Sequence, residues 1–113
     1  MLVLRLVLAA HLTVLTIYSA IVIANHGINL LPVFFGDMAA MAWPGQFNLD
    51  FLGFLILSAL WTAWRNNFSA SGLLLAILAF FGGMMFLSIY VLILSFGAKN
   101  IQEILLGNVA RSS

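Results

Sequence analysis

Three apolar stretches long enough to cross a bilayer constrain this chain more than any other feature. A crossing helix needs about 20 mostly apolar residues. Leu2 to Ala24, Phe47 to Trp64 and Leu73 to Phe96 meet or approach that length. Gly72 and Gly97 bracket the third stretch as breaker residues. Of 113 residues, 65% are hydrophobic and 6% charged, with a mean hydropathy of +1.19. A soluble domain carries about 25% charged residues, so the polar surface here is too small to cover a water-soluble globule. Lipid is the expected solvent, and the chain reads as one all-α membrane domain over residues 1–113 with spans at about 2–25, 47–65 and 73–96.

The first stretch also has features of a signal peptide, with Arg5 as the charged start and Val22-Ile23-Ala24 as a passable cleavage site. Its apolar run exceeds the usual 7–15 residues of a signal core, and His11, Thr13 and Thr16 interrupt it. It is therefore expected to stay as a helix. Between the first two spans lies INLLPVFFGDMAAMAW, residues 28–43, apolar but short. Asp37 stands in its middle, and a carboxylate at the bilayer centre costs about 2.5–3.5 kcal/mol. Pro32 can begin a helix and Pro44 would end it, which predicts an interfacial or shallow re-entrant helix at about 32–43. Phe34, Phe35, Met38 and Met41 are expected toward lipid and Asp37 toward water. The tail from Asn100 reads as a short surface helix, NIQEILLGNV, with a frayed end.

Charge excludes some functions. Arg5, Arg65, Lys99 and Arg111 face Asp37, Asp50 and Glu103, for a net +1. No basic cluster supports nucleic-acid binding or a polybasic lipid-headgroup site. Without cysteine there is no disulfide, thiolate metal site or Cys nucleophile. Phosphate-loop, HExxH and GxSxG motifs are absent, and the carboxylates are too few for a metal cage. Arg5 and Arg65 argue for a cytoplasmic N-terminus, whereas Lys99 and Arg111 after the third span argue against it. A fourth crossing by residues 28–43 would put three basic residues on one side, but Asp37, Pro32 and the short length favour three.

The candidate side chains are few. Asn48 suits a helix N-cap, placing Asp50 near the positive end of the helix dipole, with Arg65 at the other end. On that reading both are helix-end anchors. Alternatively Asp50 faces the bundle and binds a proton or polar ligand. His11 and Tyr18 lie seven residues apart on one helix face. His11 either hydrogen-bonds across helices or joins Asp50 or Tyr90 in a proton relay. Two copies of His11 in a homodimer could hold a haem, although no cofactor is expected. Trp61 and Trp64 at one boundary and Trp43 at the other suit an aromatic belt. The sharper alternative for Trp61 is stacking on a quinone, carotenoid or lipid. Gly72, Ala76, Ala79 and Gly83 form a small-residue stripe that lets helix backbones approach.

The string HGINLLPVFFGDMAAMAWPGQFNLDF, followed by LWTAWR and SIYVLIL, resembles small bacterial inner-membrane proteins of a domain-of-unknown-function family. The likeness covers about His26 to Gly107. It implies a bacterial plasma membrane and a compact helical unit, and assigns no residue a role.

The leading expectation is a non-catalytic structural or accessory membrane protein that packs with itself or a larger complex through the small-residue stripe. The alternative is a carrier or binding protein for a proton or small hydrophobic ligand, centred on Asp50, His11, Tyr18 and Trp61. An enzyme acting on a lipid is the third reading. Lipid and other membrane subunits are the expected partners.

Overall fold

The computed structural model describes residues 1–107. It contains α1 (Leu2–His26), α2 (Leu31–Ala39), α3 (Trp43–Arg65), α4 (Ala70–Gly97) and α5 (Ile101–Leu106). Three of these, α1, α3 and α4, are long and apolar enough to cross a membrane, and the short α2 stands between the first two. Among the described residues there is no strand. The last six residues of the expected tail, with Arg111, lie outside the described region.

Helix ends depart from expectation where Pro44 is concerned. Residues 32–43 do not form one helix ended by that proline. Helix α2 stops at Ala39, Met41 turns the chain with φ 57°, and Pro44 sits in the first turn of α3. A proline's missing N–H costs nothing in a first helical turn, where the donor has no partner. Helix α3 thus starts four residues earlier than expected. Asn48 is consequently no N-cap; its Nδ2 donates to the Phe34 carbonyl of α2 at 3.1 Å. Beside it Gly45 is buried against α2, where a Cβ would fall 2.2 Å from the Asp37 carbonyl oxygen. Only glycine permits that crossing.

Helix α4 has a break that its composition conceals. Gly83 takes φ 57° and ψ −139°, outside helical space, in a region essentially restricted to glycine. Gly72 and Tyr90 lie on opposite sides of this break, yet both touch Asn66. A Cβ on Gly72 would lie 2.6 Å from the Asn66 Cβ, and the Asn66 Nδ2 donates to the Tyr90 hydroxyl at 3.0 Å. A straight helix would separate residues 72 and 90 by about 27 Å. Gly83 itself lies against Phe51 and Leu55, well down α3 from its Arg65 end. The chain therefore descends along α3, reverses at Gly83 and climbs back. Each half, Ala70–Gly82 and Met84–Gly97, is about 20 Å long, short of the ~30 Å hydrocarbon core.

Helix α4 packs between α3 and α1. On α1 only one stripe is shielded, centred on Leu8 and continued by Leu12, Leu15 and Ser19. Nearly everything else on α1 is exposed, including Val14, Ile17 and Ile21. The buried residues of α3 and α4 are small or polar, with Thr62, Ala79, Ser88 and Ser95 at 0% exposure. This is an interior built by close backbone approach, as expected where lipid removes the hydrophobic driving force between helices.

Candidate functional site

The reversal at Gly83 assembles a polar cluster at one end of the bundle. Arg65 ends α3, where a cation favours the helix dipole. Its Nη1 donates to the Tyr90 hydroxyl at 3.2 Å, and its guanidinium lies 5.8 Å from the Tyr90 ring centre. Its Nε donates to the Ile104 carbonyl and its Nη2 to the Glu103 carbonyl at 3.4 Å. Trp61 adds a third bond to the same short helix, Nε1 to the Leu105 carbonyl at 3.0 Å, and meets Tyr90 edge to face. These three carbonyls belong to the last turn of α5, where a helix runs out of internal donors; that of Glu103 also accepts from the Gly107 N–H at 2.9 Å. Gly107 closes against the Arg65 side chain. At its other end α5 is capped by Asn100, which accepts from the Glu103 N–H, while the Glu103 carboxylate accepts from the Lys99 N–H. Ile104 is only 2% exposed, so α5 is clamped onto the bundle rather than lying loosely on a surface.

A second fastening lies at the same end. Arg5 of α1 donates from Nε to the Ser95 hydroxyl at 3.1 Å and from Nη2 to the Ser95 carbonyl at 2.8 Å. Its guanidinium stacks 4.5 Å over the Phe96 ring. Arg5, Arg65 and Lys99 therefore share one end of the molecule. Each arginine is held by carbonyls, hydroxyls and aromatic faces.

The residues singled out in the sequence are dispersed. His11 is exposed on α1, about 9 Å along the helix from Arg5. Asp50 lies about 22 Å along α3 from Arg65, hence in the opposite half of the bundle. The fold brings them onto no common face, and no hydrogen bond joins them among the described residues. Tyr18 is 68% exposed. Of the four proposed ligand-binding residues only Trp61 belongs to the polar cluster. His11 and His26 stand fifteen residues apart on α1, and among the described residues no three acids or histidines are placed to share a metal. The small-residue stripe is used within the chain: Gly72 and Ala79 are buried, and Gly83 makes the reversal.

Asp50 is not a helix-end anchor. It is the eighth residue of α3, about 10 Å from Trp43 along the axis. Its face points away from α4. That face carries Gln46, Gly53, Leu57, Leu60 and Trp64, all exposed. Open hollows of about 430 and 240 Å³ lie at the neighbouring α2–α3 corner, both reaching Met41, Ala42 and Gln46. Elsewhere the Ser58 and Ser88 hydroxyls are buried without a hydrogen-bond partner among the described residues.

The sequence offers Tyr90 only as a relay partner of His11, and gives Asn66 and Ser95 no role. The available signal was a polar residue inside or ending an apolar run, which in a membrane must find a partner. Which partner depended on the reversal. No protein-family model matches the chain, and neither the curated proteins nor the solved structures provide a match.

Proposed function

We propose that this is a non-catalytic membrane protein of structural or accessory type, packing with itself or within a larger complex in a bacterial plasma membrane, with a cytoplasmic N-terminus. The observation that carries this reading is where the polar groups are spent. Both described arginines and the Trp61, Asn66 and Tyr90 side chains are engaged in fastening α1, α3, α4 and α5 together. Meanwhile α1 and the outer face of α3 remain open along their length. A protein that binds lipid or helices through such faces needs rigidity at one end and contact area along the rest.

The orientation rests on charge. Arg5, the α3–α4 turn after Arg65, and Lys99 meet at one end, and positive residues favour the cytoplasm. The reversal removes the conflict that a third full crossing would create. Purification in mild detergent tests the function. A discrete oligomer or a stoichiometric membrane companion is expected, and a clean monomer without companion would contradict it.

A further inference from the structure

Helix α5 is held by side chains that suit an oxyanion. Trp61 and Arg65 stand one turn apart on α3, and their N–H groups converge on three successive carbonyls of α5. Those carbonyls are the partly negative end of a helix. Little else holds α5 there. Ile104 is buried, but Ile101, Leu105 and Leu106 are 48, 49 and 36% exposed. A helix of six residues has too few turns to persist without such support.

The donors are not used up. Arg65 spends three of the five N–H groups of a guanidinium, and no carboxylate meets its charge among the described residues. Glu103 is the one acidic side chain at this end among the described residues, and its carboxylate accepts from the Lys99 N–H. The Tyr90 hydroxyl accepts from both Arg65 and Asn66, so its own proton has no acceptor among the described residues. A planar fork, an indole N–H and a phenol O–H thus gather at the end of a spanning helix, which is headgroup depth.

We infer that Arg65, Trp61 and Tyr90 form a binding site for a phosphate oxyanion, and that the α5 carbonyls fill it as a displaceable plug. A phosphate brings full negative charge and several acceptor oxygens, where α5 brings only partial charge. Charge-assisted pairs of this kind are about twice as strong as neutral hydrogen bonds. The phosphate oxygens match the guanidinium fork and leave acceptors for Trp61 and Tyr90. On binding, α5 swings out on the connection at residues 98–100 and uncovers Ile104. A lipid headgroup and free phosphate share this chemistry. The inference goes beyond the structural reading above and does not rest on it.

The full chain in lipid-free maltoside micelles, which contain no phosphate, is compared with the same micelles given phosphatidylglycerol, inorganic phosphate, or sodium chloride of equal ionic strength. Hydrogen exchange at residues 103–107 should quicken about tenfold with a phosphate source and stay unchanged with chloride. Quickening by phosphatidylglycerol alone supports the site with a lipid headgroup as its ligand, and quickening by inorganic phosphate alone supports it with a free anion. Tyr90→Phe keeps the three bonds to α5. Its exchange without phosphate should stay near that of the native chain, while its response to phosphate shrinks several-fold. Exchange that no phosphate source quickens, an equal response to chloride, or a full response in Tyr90→Phe would overturn the site, and α5 would then be a permanent clamp.

Discussion

Arg65 shows how much one side chain can hold in a chain with so few charges. It joins the end of α3 to Tyr90 and to two carbonyls of α5. Hydrogen bonds from a charged donor contribute about 1.5–3 kcal/mol each, and their geometry here uses the guanidinium fork. Arg65→Ala should destabilise the fold by about 3 kcal/mol and free α5. Arg65→Lys should recover less than half of that, because an ammonium cannot reproduce the fork. Unfolding in mixed micelles checks the first effect, and hydrogen exchange at residues 103–106 the second; unchanged protection there would contradict the clamp. At Gly83 the constraint is backbone conformation. Gly83→Ala forces a side chain into a left-handed region and sets a Cβ about 3.1 Å from the Phe51 ring. A cost of about 1–3 kcal/mol is expected, readable as earlier unfolding in the same titration. The arginines and tryptophans were legible as helix-end residues from their positions at the limits of apolar runs. Their partners were not, because Tyr90 reaches Arg65 only after a reversal that leaves no periodic trace.

Among the elements, the long helices were legible from length and composition, since solvation by lipid demands apolar runs of a set length. Boundaries failed where one residue type has two meanings. A proline after an apolar run can mark an ending, but it is equally at home in a first turn, and there Pro44 starts α3. The packing stripe includes Gly83, yet this glycine instead breaks α4. Two adjacent glycines in mid-span were the visible hint. At the α2–α3 crossing, Gly45→Leu should push α2 off α3, because even a Cβ there collides with the α2 backbone. Limited proteolysis between residues 27 and 42 should then become faster. A cleavage rate equal to that of the native chain would show that α2 is held by something other than this contact.

At the scale of the molecule, the arrangement is asymmetric across the membrane. One end gathers Arg5, Arg65, Lys99 and the clamped α5, and the other carries α2 with Asp37. This is also where the expected relay fails to assemble: His11 belongs to the half with the arginines and Asp50 to the half without. The purified protein is accordingly expected to be colourless, and a haem Soret band would revive ligation by His11 across two copies.

The folding back of α4 underlies the shared basic end, the Arg65 cluster and the proposed orientation alike. Single cysteines at Asn29, Ser71 and Lys99, probed with a membrane-impermeant maleimide in sealed vesicles of known sidedness, test it directly. Ser71→Cys and Lys99→Cys should label from the same side, and Asn29→Cys from the opposite one. Labelling of Lys99→Cys from the Asn29 side would mean that α4 crosses completely, contradicting the reversal at Gly83.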